Sequence, residues 1–114
     1  LQEAGEEDEG SSRQKRKDLR REKAEKRSLV AAALKPIQHK LKHLEERIDE
    51  MEKRKAELEQ LLVDPDLFKD KSKSVPLLNE YGEIRKKLDE LMGRWEYQQG
   101  QLETAKRELG IETQ

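Results

Sequence analysis

The sequence predicts an all-α protein: an antiparallel two-helix coiled-coil hairpin with a short helical turn at the tip and a basic, partly disordered N-terminal arm. The first observation behind this is a pair of runs with strict three-four spacing. One is Leu34, Ile37, Leu41, Leu44, Ile48, Met51, Lys55, Leu58, Leu62; the other is Leu77, Tyr81, Ile84, Leu88, Leu91, Trp95, Gln98, Leu102, Ala105, Leu109. Such spacing lays one narrow, mostly apolar seam along each helix. The second observation is that the runs mirror each other around Val63 to Pro76. Folding back there sets Leu62 against Leu77, Leu58 against Tyr81, Ile48 against Leu91 and Leu44 against Trp95, and the residue numbers of every pair add to the same total. An antiparallel register requires that constancy, because an a position on one strand meets a d position on the other. The third is composition. With 45% of its residues charged and 32% hydrophobic, a chain of 114 residues has too little apolar mass for a round core.

Residues 1–12, rich in Glu, Gly and Ser and without periodicity, read as a disordered acidic linker. The opening Leu1, with no initiator Met, predicts a segment of a longer polypeptide. Residues 13–33 form a basic arm that lacks an apolar stripe but consists of helix formers, with Glu22 and Lys26 spaced for a supporting pair. Partial, fraying helix is expected there. Pro36 has no N–H to donate and disfavours helical geometry at Lys35, so it either starts the stable helix or kinks one arriving from the arm. Helix one covers 34–62, about 42 Å at roughly 1.5 Å per residue. In the tip, 63–76, Asp64-Pro65 supplies a cap followed by proline, predicting one short turn to about Lys69 with Leu67 and Phe68 closing the seam. Lys69 to Lys73 reads as a connector and Ser74 as the cap of helix two, which tolerates Pro76 in its first turn. Helix two covers 77–109, and Gly110 stops it ahead of the tail 110–114.

The net charge of -1 conceals an uneven distribution. Residues 1–9 carry five acids and no base, whereas the arm carries Arg13, Lys15, Arg16, Lys17, Arg20, Arg21, Lys23, Lys26 and Arg27 against Asp18, Glu22 and Glu25. Such a segment either contacts phosphates, with affinity from counterion release, or serves as a solvated linker. A second basic feature follows from the register. Lys40, Arg47 and Arg54 fall at g positions of helix one, and Lys87 and Arg94 at g positions of helix two. In an antiparallel pair g faces g, so these bases share one edge of the hairpin. The opposite edge mixes Glu45, Glu52 and Glu59 with Arg85 and Lys106. Stability alone favours opposite charges on both edges, so the basic edge predicts an anionic partner; the alternative is local neutralisation by Asp49, Glu50 and Glu80, in pairs worth little.

Other features point away from chemistry. Lys55 and Gln98 interrupt the seam and read as register determinants, the Lys55 stem lying over Ile84 with its ammonium in water. Trp95 is able to stack on a base, yet its seam position facing Leu44 favours packing. His39 and His43 have the four-residue spacing of a metal pair but lack a third ligand, with only Glu46 nearby. No acid is placed in an apolar pocket that would tune it for catalysis, so no catalytic residue is assigned. There is no cysteine, no apolar run of about 18 residues and no signal-peptide pattern. A cytoplasmic protein without membrane contact is expected.

The stretch Leu41 to Glu96 resembles the C-terminal domain of ABC-F proteins, the soluble tandem ATP-binding-cassette proteins of the Uup type. The matching features are Lys35-Pro36-Ile37, the run Leu44-Glu45-Glu46-Arg47-Ile48, the tip Leu62-Val63-Asp64-Pro65-Asp66-Leu67-Phe68, Glu80-Tyr81, and Trp95-Glu96. The tip is the most specific of these, and the likeness extends over roughly residues 13–109. A weaker likeness is to the coiled-coil tRNA-contacting arm that ends valyl-tRNA synthetases. The ABC-F resemblance implies a module that binds ribosomal RNA or DNA, following the second ATPase cassette of a cytoplasmic parent that acts in translation on ribosomes or on structured DNA. The parent would hold ATP and Mg. These residues contain no GxxxxGK[ST] phosphate loop, so no cofactor is expected here. A monomeric module is expected. A structural spacer or protein-interaction coiled coil without nucleic-acid binding is the alternative.

Overall fold

The computed structural model describes residues 2–110, with side chains from residue 10 onward. It contains helix α1 (Gln2–Leu62), a short 3-10 helix (Pro65–Lys69) and helix α2 (Lys71–Glu108), with no strand among the described residues. The chain divides into two units, Leu1–Lys35 and Pro36–Gln114.

In the first unit the backbone is helical from Gln2 onward, where the sequence suggested disorder over 1–12 and a fraying helix beyond. The reason lies in the abundance of Ala, Glu, Gln, Lys and Arg, whose unbranched side chains lose little freedom in a helix. A hydrogen bond from Gln14 Nε2 to Asp18 Oδ1 at 3.2 Å adds one supporting i,i+4 contact. The expected Glu22–Lys26 ion pair is absent among the described residues. Pro36 lies inside α1 and does not start it.

The second unit is the predicted hairpin. Leu44, Ile48 and Leu58 from α1 form one cluster with Ile84, Leu88 and Leu91 from α2, and Met51, Leu77, Tyr81 and Trp95 pack against it. Leu58 and Leu91 are fully buried. From Ile37 to Leu62 and from Leu77 to Leu109, every seam position is buried or half-buried, Lys55 and Gln98 included. Three hydrogen-bonded contacts cross between the helices and fix the same register. Arg54 meets Glu80, Tyr81 Oη donates to Glu59 Oε1 at 3.1 Å, and Trp95 Nε1 donates to Glu45 Oε1 at 3.0 Å.

At the tip, Asp64 has extended backbone geometry and accepts from the Asp66 N–H at 3.0 Å, with Pro65 at the first helical position. Only Leu67 faces inward; Phe68 is largely exposed, because a 3-10 helix turns every three residues and cannot direct two neighbours to one side. Helix α2 starts six residues earlier than the sequence suggested. Asp70 caps it, accepting from the Ser72 N–H at 3.0 Å and the Ser72 hydroxyl at 2.6 Å. The supposed connector Lys71 to Lys73 is therefore its first turn, and Ser74 is buried within the helix. Pro76 lies inside α2, where it cannot donate to the Ser72 carbonyl. At the far end Leu109 is the C-cap, and Gly110 takes the left-handed conformation at φ 70° that favours glycine, with its N–H donating to the Arg107 carbonyl. The rest of the tail lies outside the described residues.

Candidate nucleic-acid interface

On the basic edge of the hairpin, one rung has its geometry spelled out. Arg54 Nε and Nη2 donate to the two carboxylate oxygens of Glu80 at 2.6 and 2.9 Å, and Nη1 reaches Glu57 at 2.9 Å. This bidentate fork is the strongest form such a pair takes. Hydrogen bonds from Arg54 hold the Glu80 carboxyl below its ordinary value of 4.5, and those to Glu80 and then Glu57 raise Arg54 further above its own. Arg54 is thus engaged, as the neutralisation alternative anticipated for this position.

Moving one and two heptads away from the tip carries that rung to Arg47 with Lys87 and to Lys40 with Arg94. Where the first rung joins a base to an acid, these two set base against base. Lys87 has a single contact with Glu90 at 3.5 Å, whereas Lys40, Arg47 and Arg94 make no salt bridge among the described residues. Arg47 and Lys87 lie half-buried, their stems along the seam; Lys40 and Arg94 are exposed. At the outermost rung the helices leave a groove of about 450 Å³, open on one side and lined by Lys40, Leu44, Gly93, Arg94, Tyr97 and Gln98, with Glu90 at its border.

The opposite edge differs from expectation. Arg85 forms no ion pair with Glu45, Glu52 or Glu59; its guanidinium lies over the Tyr81 ring, 5.9 Å from the centroid. Glu59 accepts from Tyr81 and lies 3.8 Å from Lys55 Nζ, while Glu45 accepts from the Trp95 indole. Trp95 is therefore committed to the hairpin on both its apolar face and its N–H. Tyr97, in contrast, is 63% exposed, and the seam periodicity does not register it because it lies off the stripe. The signal was present: an aromatic on a polar face, one turn beyond Arg94.

In the arm the helical backbone sorts the charges. At 3.6 residues per turn, Arg13, Arg16, Lys17, Arg20, Arg21, Lys23 and Arg27 fall within an arc of about 160°, while Asp18, Glu22 and Glu25 fall on the other side with Lys15 and Lys26. All nine bases are exposed and none makes a salt bridge among the described residues. His39 and His43 are exposed, and no group of three His, Cys, Asp or Glu able to hold a metal occurs among the described residues. Nor, among them, is any helix long and apolar enough to cross a membrane.

The Arg54–Glu80 pair has a pH signature. A carboxyl whose pKa is lowered on folding contributes stability that is present above its ordinary value and lost as the pH falls through the folded value. The stability gap between the unmodified protein and Glu80→Gln is therefore expected at pH 7 and should close as the pH drops below 4.5. It will be small, because both partners are more than a third exposed. Urea denaturation at pH 7 and pH 3 measures it, and a gap of the same size at both would contradict the assignment.

A family model described as the ABC transporter C-terminal domain matches residues 37–99, more than half of the chain. No curated protein and no solved structure matches it.

Proposed function

The chain belongs to the ABC transporter C-terminal domain family, and from that premise we propose that it is a nucleic-acid-binding coiled-coil module of a soluble, cytoplasmic ABC-F ATPase, docking its parent on ribosomal RNA or structured DNA. The observation that carries this reading is the pair of base-against-base rungs, Arg47 with Lys87 and Lys40 with Arg94, on an edge whose third rung shows how well an acid fits there. Like charges at facing positions cost stability, and a phosphate seated between them removes that cost while adding charge-assisted hydrogen bonds. The basic face of the arm supports the same ligand chemistry. ATP and Mg belong to the parent's cassettes, and the module acts as a monomer whose contribution is affinity and placement, with no catalysis of its own.

A titration of the whole chain with ribosomal RNA, duplex DNA and branched DNA at several salt concentrations tests the proposal. Log affinity should fall linearly with log salt, and deleting residues 1–27 should flatten that slope by roughly 0.7 to 0.9 for each phosphate no longer neutralised. A structural spacer would bind none of the three, and that result would end the reading.

A further inference from the structure

Within the reading just given, on which this inference rests, we infer that the groove at the outermost rung holds one unpaired nucleotide, its base stacked on Tyr97 and its phosphate between Lys40 and Arg94. The groove has walls of different chemistry. Lys40 and Arg94 stand at facing edge positions without an acidic partner among the described residues, so an anion completes them. Tyr97 offers a ring that the hairpin does not use, in contrast to Trp95. Tyr97 lies one turn beyond Gly93 on the same face of α2, and both line the groove. Glycine there leaves the space beside the ring empty, and a Cβ added to it would meet nothing within 4 Å, so packing of the hairpin does not call for glycine. A glycine inside a helix is less stable than an alanine would be; an open stacking face gives that position a use. Leu44 closes the floor, and the Gln98 amide is at hand for the edge of a base. Glu90, the acid at the border, is engaged by Lys87 at 3.5 Å.

Paired bases are buried in their stack, so only a single-stranded, bulged or junction nucleotide offers a face to Tyr97. Fluorescence anisotropy with a labelled single-stranded 12-mer, and with the duplex of the same sequence, tests this on the full chain. Tyr97→Ala should weaken single-strand binding roughly 5- to 150-fold, leave duplex binding within about twofold and keep the salt slope, because stacking releases no counterions. Tyr97→Phe should retain affinity. Gly93→Leu should reproduce the Tyr97→Ala loss by filling the space, and as a better helix former it cannot fail through unfolding of α2. Equal losses on single strand and duplex, an unaffected Tyr97→Ala, or a Gly93→Leu that binds normally would overturn the inference. Lys40→Glu with Arg94→Glu separates this from the broader reading. If that variant loses affinity and salt slope while Tyr97→Ala does not, phosphate contact stands and stacking falls. If the unmodified chain binds neither probe, both fall.

Discussion

Replacing Leu91 with alanine is expected to destabilise the hairpin by about 2 to 5 kcal/mol. Leu91 and Leu58 are the two fully buried large side chains among the described residues, and both belong to the cluster where Leu44, Ile48, Ile84 and Leu88 meet. Truncation there removes apolar area that the two helices shield from water completely, and it leaves a cavity that the packed seam closes only in part. Small domains have about 5 to 15 kcal/mol in total, so this one change removes a large share. Urea denaturation followed by circular dichroism reads it, with Leu58→Ala expected to behave alike and the exposed Glu83→Ala to stay within about 0.5 kcal/mol. A Leu91→Ala variant as mild as Glu83→Ala would mean that the seam does not hold the helices together.

Reversing Lys87 and Arg94 to glutamate should separate binding from stability. Each reversal turns a base-against-base rung into the kind of rung that Arg54 and Glu80 form at 2.6 Å, so the hairpin should be unchanged or gain up to about 1 kcal/mol. Binding should move the other way. Removing two phosphate-binding groups lowers the slope of log affinity against log salt by roughly 1.4 to 1.8. Arg54→Glu is the converse control: it faces Glu80 and Glu57, so it should lower stability while leaving the slope in place. Unchanged affinity in the double reversal would leave the arm as the whole contact surface and the hairpin as a spacer. An equal loss on reversing Glu45, Glu52 and Glu59 to lysine would show that the effect is not specific to the basic edge.

Membership of the family makes these residues part of an ABC protein, and the family match falls on the region where the sequence carries its clearest signal. The tip and most of the seam lie inside residues 37–99. The arm precedes them, so its role rests on its own charges.

The hairpin and its register were legible in the order of the residues alone. Seam periodicity is a property of many residues at once, and a slip of one position would expose all of them together, so no local competition could overturn it. Local competitions, in contrast, were decided only by the folded structure. Asp70 and Ser74 are both able to cap α2; the earlier one prevailed because its carbonyl already accepts from the Lys73 and Ser74 N–H groups, placing its carboxylate over the free end. Arg54 had several acids within reach, and the choice of Glu80 and Glu57 depended on side-chain distances of under 3 Å that spacing along a helix does not specify. Trp95 and Tyr97 are two residues apart, so helical rotation puts them on different faces; one is taken into the core and the other left at a groove that exists only where two helices meet. Periodic burial is the sum of many weak terms and can be read along one chain, whereas each cap, fork and groove turns on one or two contacts whose partners come together only after the chain has folded.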